Sequence, residues 1–261
     1  MATVSMQQRT PQWHAARRGK LTASNVGAAL GLCPWTSRQQ AYNRAMGLER
    51  FQGNDATRWG TDNEANGVLA YSAHTGNVVD ATGLHVHPAT SWLAGSPDGL
   101  IGEAGLLEVK CPYWRKKDGT RVHQTVPAHY YMQINLCLEI TKRQWCDFIS
   151  WTPEGYAVYR IIADPALHEA MMPHYIKFYS AMQREAKGPV PQSDDEKQAI
   201  QDAVNASMGV CVHYNFWRNV DTSDTPPDAI DEPEPKRRKM EIGGALATSR
   251  ENFPELELKD A

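Results

Sequence analysis

Cysteine is scarce and dispersed in this chain. Cys33, Cys111, Cys137, Cys146 and Cys211 are odd in number, and no two of them form a Cys-x-x-Cys pair. That pattern argues against a disulfide framework and against a zinc or iron–sulfur centre built on thiolates. No apolar run approaches the ~18 residues that span a bilayer. The opening residues, MATVSMQQRTPQWHAARRGK, hold no stretch of signal-peptide type. An intracellular protein with no membrane segment is expected. Internal repeats are missing, and so is a strong charge of one sign, since the net charge is −3. The small total hides an asymmetry. Residues 1–189 carry 19 Lys and Arg against 15 Asp and Glu, a net of +4, and residues 190–261 carry 8 against 15, a net of −7. A mildly basic body with an acidic tail suits a nucleic-acid partner.

What is present is the composition of a globular protein, 41% hydrophobic and 22% charged, with length for one sizeable core and an appendage. Three regions are expected: a main domain over 1–188, a helical extension over 189–219 and a tail over 220–261. Gly188-Pro-Val-Pro191 marks the first boundary, and Ser193-Asp-Asp-Glu196 reads as a capping box that starts a helix. The tail holds four prolines and six acids between Asp221 and Pro235 and is expected to be disordered. Lys236-Arg-Arg-Lys239 follows as a nuclear-import signal, a phosphate-binding tag or a solvated charge run.

The most informative stretch is Trp92–Pro112, WLAGSPDGLIGEAGLLEVKCP. It reads as two strands joined at Gly102–Gly105, with Ile101 expected opposite Leu106 and Glu108 opposite Gly99. Asp98 and Glu108 then meet at one end of a hairpin, with Lys110 on the same face as Glu108 and Val109 on the other. Acids gathered among Leu106, Leu107 and Val109 are costly to bury unless a cation offsets them, and oxygen donors suit Mg²⁺ or Mn²⁺. Read alone, the same residues also fit an ordinary hairpin whose Glu and Lys pair on a wet face.

Other features add to this. A short helical turn at Trp13–Arg18 and a second helix capped by Thr22 or Ser24 bring Arg17 and Arg18 to an anion-favouring helix end, or leave two solvated arginines. Thr36 is expected to cap a helix to Met46. A longer helix from Trp59, closed by Gly76, places Glu64, Val68 and Tyr71 on one face, so Glu64 is a further metal ligand or a satisfied surface acid. Asn77–His87 reads as one strand with His85 and His87 on one face; with no further ligand at matching spacing, both are taken as structural or surface residues. The loop after the hairpin carries Arg115, Lys116, Lys117 and Arg121 beside Tyr113 and Trp114. It is a phosphate-and-base contact surface or solvated loop charge. A helix from Pro127 to Thr141 sets Gln133 near its first turn.

In chain order the motifs are Trp13-His-x-x-Arg17, Leu21-Thr-Ala-Ser24, Trp59-Gly-x-x-x-Glu64, Ser96-Pro-Asp-Gly99, Leu107-Glu-Val-Lys-Cys-Pro112 and Tyr131-Met-Gln133. This ordered set, from about Thr10 to Gln183, resembles the viral recombinase family typified by phage lambda exonuclease, the YqaJ-like group of the PD-(D/E)xK nuclease superfamily. The resemblance implies an α/β (α+β) fold with a restriction-endonuclease-like core, a mixed central sheet flanked by helices. It implies Asp98, Glu108, Glu64 and the Val109 carbonyl as ligands of Mg²⁺, with Mn²⁺ as a substitute. It makes Lys110 the residue that orients the attacking water and stabilises developing negative charge. It also implies a 5′-phosphate pocket of Arg17, Ser24, Ser96 and Gln133 with a basic loop residue. That loop residue aligns with Lys116, while Arg115 lies one position earlier, and Asn135 stands where a second Gln is usual. The implied activity is a 5′→3′ exonuclease that digests one strand of linear double-stranded DNA to mononucleotides. The 3′ overhang left behind serves a single-strand annealing protein, and the enzyme is expected to be a trimeric ring. It would act in a bacterial cytoplasm if phage-encoded, or in a nucleus if Lys236–Lys239 is an import signal. The alternatives are an endonuclease with the same metal site and a non-catalytic DNA-binding recombination scaffold.

Overall fold

Thr10 accepts the Trp13 N–H and starts helix α1 (Pro11–Arg17), whose proline sits where no N–H donor is needed. Strand β1 (Leu21–Thr22) leads into α2 (Ala23–Ala29). Ser37, one residue past the expected Thr36, caps α3 (Arg38–Met46) in a capping box with Gln40; Gly47, at φ +74°, closes it. Helix α4 (Asp55–Thr75) begins one turn before the expected Trp59, because Asn54 and Thr57 form a capping box ahead of it. The structure, a computed structural model, describes residues 7–49, 52–113 and 121–219. Arg115, Lys116 and the basic cluster at 236–239 lie outside the described residues, as does the second of two compact units, Thr222–Ala261.

The remaining elements are β2 (Val79–Asp80), β3 (His85–Val86), β4 (Leu93–Gly95), β5 (Gly99–Ile101), β6 (Gly105–Lys110), α5 (Ala128–Thr141), β7 (Trp145–Thr152), β8 (Gly155–Ile162), α6 (Pro165–Gln183), α7 (Asp194–Cys211) and β9 (Val212–Asn219). They build a six-stranded sheet, β2-β5-β6-β7-β8-β9, and a three-stranded one, β1-β4-β3. In the larger sheet only β6 and β7 run parallel, with α5 as their crossover. The result is the mixed α/β architecture expected.

Four expectations are corrected. The strand foreseen over Asn77–His87 is two short ones, β2 in the large sheet and β3 in the small one. The outgoing arm of the hairpin is likewise divided: β4 belongs to the small sheet and β5 to the large one. Ser96-Pro97-Asp98 lies between them, and Pro97 has no N–H for a ladder. The pairing is also shifted by one residue, with Leu106 opposite Leu100 and Gly105 opposite Ile101. Gly105 is already strand, so the turn is Gly102-Glu103-Ala104, with Gly102 at φ +51°. Carried one step further, this register sets Asp98 rather than Gly99 across from Glu108. The extension after Pro191 is helical only as far as Cys211. It then adds β9 to the edge of β8, and α7 buries Ile200 and Val204 in the main core.

Strand alternation divides the packing between the two faces of the large sheet. Leu106, Phe148, Tyr159 and Ile161 join the core beneath α2, α5, α6 and α7. Leu107, Val109, Ile149 and Val158 face the other way, onto Tyr71 of α4. Two close approaches fix these layers. A Cβ on Gly27 of α2 would stand 2.6 Å from the His129 Cβ of α5, and one on Gly67 of α4 would stand 2.5 Å from Val109 Cγ1. On the α4 side, Arg160 grips the fully buried Asp147 through Nε and Nη2 at 2.8 and 2.9 Å, and the Tyr71 hydroxyl donates to the same carboxylate at 2.7 Å. That buried pair locks α4 to β7 and so fixes the helix that carries Glu64.

Candidate active site

Beyond Gly99, β6 has no β5 partner, and its last residues open on that side toward the Pro97–Asp98 bend. The Val109 N–H donates to Asp98 Oδ2 at 2.8 Å, and the Asp98 N–H to the Leu107 carbonyl at 3.1 Å. The N–H and C=O of one extended residue point the same way, so the Val109 carbonyl also opens toward Asp98. Glu108 is 2% exposed and lies on the α5 face. Its Oε1 accepts from both Lys110 Nζ and Gln133 Nε2. Lys110 sits 4.9 Å from the centre of the Tyr130 ring, a cation–π contact that fixes the ammonium over α5.

The electrostatics show a site short of positive charge. Burial, and next the charge of Glu108, push the Asp98 carboxyl well above its usual range, while Lys110 and the Val109 N–H pull it down. Burial opposes the charge on Lys110, but Glu108 and Asp98 outweigh it and hold the ammonium protonated. Cys111 is pushed up to about 12 by burial and then by Glu64. Glu64 itself is engaged by Arg9, whose backbone lies in the left-handed region at φ +68°. Gln8 holds that segment down by donating to the Pro97 carbonyl at 2.8 Å.

The donor set of Asp98, Glu108, Glu64 and the Val109 carbonyl consists of oxygens. Its acids outnumber the lysine among them, which fits a hard divalent cation. The three carboxylates are not drawn into one tight cluster, and Glu64 is paired with Arg9. The one set of ligand atoms within 4.8 Å of one another among the described residues is elsewhere, at His87, Glu139 and His168. There His87 Nδ1 accepts the Thr90 N–H at 2.9 Å, so the ring proton lies on Nε2, which faces Glu139 at 3.3 Å. A ring so committed is a hydrogen-bond donor, not a ligand, and Glu139 is also paired with Lys142. His87 is thus held by Thr90 and Glu139 between β3 and α5. Its partner His168 comes from α6, which no local spacing reveals. His85 meets Thr82 at 2.6 Å.

The residues expected to hold a 5′-phosphate are only partly gathered. Arg17 donates to Ser24 Oγ at 2.7 Å and to Thr22 Oγ1 at 3.2 Å, and its guanidinium stacks 4.0 Å over Trp13. Burial lowers it to about 10, so it remains a cation at neutral pH. Ser96 accepts the Trp13 indole N–H at 2.9 Å, which ties α1 to the bend before Asp98. Ser24, Glu64, Lys110 and Gln133 line one cavity of about 720 Å³. Arg17 lines a neighbouring cavity of about 810 Å³ with Arg18 and Arg44. Arg9, Asn25 and Arg44 border both. Gln133 is aimed at Glu108 rather than at the Arg17–Ser24 pair.

Sequence reasoning missed Arg9, Trp13 as the support of Ser96, and Tyr130 as the support of Lys110. Trp13 stands within its motif, which was the available signal, and Tyr130 directly precedes the Tyr131-Met-Gln133 motif. Arg9 is close to Glu64 only through the fold.

The chain is similar in sequence and fold to known proteins. Residues 12–144, just over half of the chain, match the model of the YqaJ-like viral recombinase domain. An alkaline exonuclease from Laribacter hongkongensis, LHK-Exo, is 28% identical, with TM-score 0.55, over 76% of this chain and all of that one. The same protein in complex with dAMP is 27% identical with TM-score 0.56, again over 76% of this chain and all of that one. Uncharacterized protein R354 of Acanthamoeba polyphaga mimivirus is 24% identical over 58% of this chain, and the match spans 30% of that protein's length.

Proposed function

Because this chain belongs to the YqaJ-like viral recombinase family, we propose that it is a divalent-metal-dependent 5′→3′ exonuclease acting on the ends of linear double-stranded DNA. One observation carries this reading. Asp98 closes on the open side of β6, Glu108 pairs with Lys110 beside it, and Lys110 lines a cavity that also reaches Glu64, Ser24 and Gln133. Structural similarity to an alkaline exonuclease, crystallised with a mononucleotide, supports both the reaction and mononucleotides as its product.

Asp98, Glu108, Glu64 and the Val109 carbonyl would hold Mg²⁺, or Mn²⁺ in its place. Bound by these residues, such an ion would neutralise phosphate charge and lower the pKa of a water. Lys110, protonated and held by Glu108 and Tyr130, offers positive charge to the oxyanion that develops as the phosphodiester opens. Gln133 donates to the carboxylate oxygen that Lys110 also uses, and so holds Glu108 in one rotamer. Arg17, braced on Trp13, and Ser24 at the start of α2 present charge and a hydroxyl to a terminal phosphate. Arg115 and Lys116 of the basic loop would add phosphate contacts. A single-strand annealing protein is the partner proposed to take up the 3′ overhang, and a trimeric ring the assembly that encloses the duplex. An intracellular site of action follows from this reading.

The test uses purified protein with Mg²⁺ on linear duplexes bearing 5′-phosphate or 5′-hydroxyl ends, beside a covalently closed circle. Mononucleotides released from the phosphorylated ends, with the circle spared, are expected. Efficient cutting of the circle would make the protein an endonuclease. Arg17→Ala should erase the preference for a 5′-phosphate.

A further inference from the structure

Trp35 is 65% exposed, the largest exposed aromatic among the described residues, and it borders the cavity that contains Lys110 and Gln133. An indole left in water beside a polar cavity gains nothing from the fold around it. It is nevertheless held in place: the His129 ring meets it edge-on at 4.7 Å with an interplanar angle of 84°. His129 is itself buried, 9% exposed, and lines the same cavity. Its Nε2 has no hydrogen-bond partner among the described residues. An orphaned buried ring nitrogen is uncommon in a folded protein and marks a place where a partner is missing.

The two rings are connected to the reaction centre. Lys110 Nζ lies 4.9 Å from the Tyr130 ring, Tyr130 lies 4.1 Å from His129, and His129 lies 4.7 Å from Trp35. The indole is thus no farther from the ammonium than these three steps together, about four base steps of ~3.4 Å along one strand.

We propose that Trp35 and His129 form a nucleobase site: the free face of the indole stacks on an unpaired base within about the first four nucleotides of the DNA end, and His129 Nε2 hydrogen-bonds that base. An exposed aromatic with one face free accepts any of the four bases, because every base has a π-face. The imidazole adds a polar contact without a charge, since burial, and then the charge of Lys110, lower it to about 4. The site takes a base, not a phosphate, so it is separate from the Arg17–Ser24 pair. Its consequence is mechanical. A base held on Trp35 is withdrawn from its complement and keeps the strand separated near the scissile bond.

This inference rests on the nuclease reading for its substrate, and the test separates the two. Equilibrium binding by fluorescence anisotropy, with Ca²⁺ in place of Mg²⁺, compares 5′-phosphorylated duplexes in which one of the first four nucleotides is abasic. One abasic position is expected to weaken wild-type binding by about 5- to 150-fold, the range of one base–aromatic stack. Trp35→Ala should bind the normal and abasic ends alike, Trp35→Phe should restore the difference, and His129→Phe should reduce it. Because Trp35 is exposed, its removal leaves the fold intact. No abasic effect in the wild type, or an undiminished effect in Trp35→Ala, overturns the base site. Absence of Mg²⁺-dependent digestion with the abasic effect intact overturns the nuclease reading alone.

Discussion

Replacing Arg9 with glycine tests whether the free protein guards its own metal site. Arg9 is half exposed, and its guanidinium is paired with Glu64, the acid that α4 brings over the end of β6. An ion pair between partly exposed partners contributes about 0.2–1 kcal/mol. Removing it frees Glu64 for a cation, and the same energy as a binding constant is up to about fivefold tighter. The backbone effect has the opposite sign for stability. Arg9 lies at φ +68°, a conformation that costs a non-glycine residue about 1 kcal/mol or more and costs glycine almost nothing. The lost pair and the relieved backbone therefore roughly cancel, and the metal-free melting temperature should move by no more than a few degrees while Mg²⁺ or Mn²⁺ binds more tightly. Isothermal titration of the metal-free protein measures the affinity, and differential scanning calorimetry in EDTA measures the melt. Arg9→Lys, which keeps the charge, should bind metal no more tightly than the wild type. Unchanged or weaker metal binding in Arg9→Gly would refute the idea that Arg9 competes for Glu64.

Three further outcomes follow from the packing around β6. Asp98 has its pKa raised chiefly by burial, so its neutral form is the one that favours the metal-free fold; that stabilisation is present at low pH and lost as pH rises through the folded value. Asp98→Asn should therefore melt above the wild type in EDTA at pH 7, converge with it below the ordinary carboxyl value of 3.8, and lose all metal-dependent digestion. Asp147→Ala leaves Arg160 and Tyr71 without their buried acceptor, and should cost about 3–5 kcal/mol in urea unfolding. Gly67→Val drives α4 off Val109, where a Cβ would stand at 2.5 Å, and should cost about 1–3 kcal/mol while weakening metal binding by displacing Glu64.

The sequence was legible where chemistry is local. The Asp98–Glu108 convergence, the alternation of Glu108 and Val109, the Gly76 stop and the Asp164 and Ser193 caps all depend on neighbours a few residues apart, and the structure contains each. The hairpin register was off by one because Gly105, a turn residue by composition, extends the strand instead. That slip understated the site, since the observed register, extended one step past Gly99, sets Asp98 across from Glu108. Long-range juxtapositions were not readable at all. Arg9 meets Glu64 across 55 residues, and His87 meets Glu139 across 52. Strand β9 was missed because its sequence follows a helix without a glycine or proline between them.

The position of the site follows from the one parallel pair in the large sheet. Parallel strands require a crossover, and α5, which provides it, packs on the face that Glu108 and Lys110 present. Glu64 cannot join them on that face, because α4 lies on the opposite side, against Val109 and Ile149. The two sets of side chains can meet only past the edge of the strand, where β5 has ended and Asp98 fills its place. Ligands in α/β sheets gather beyond the carboxyl ends of parallel strands for this reason: backbone groups there lack a strand partner, and helices on both faces can reach the same volume. Here Trp35 and Arg9 both line the cavity that reaches Glu64 and Lys110. A DNA end entering it would meet an aromatic surface, a guanidinium and the Glu64 carboxylate in one volume. Arg9 could then leave Glu64 for a phosphate as a metal ion takes its place. On this geometry, DNA and metal should each tighten the binding of the other, and Arg9→Gly should weaken that coupling.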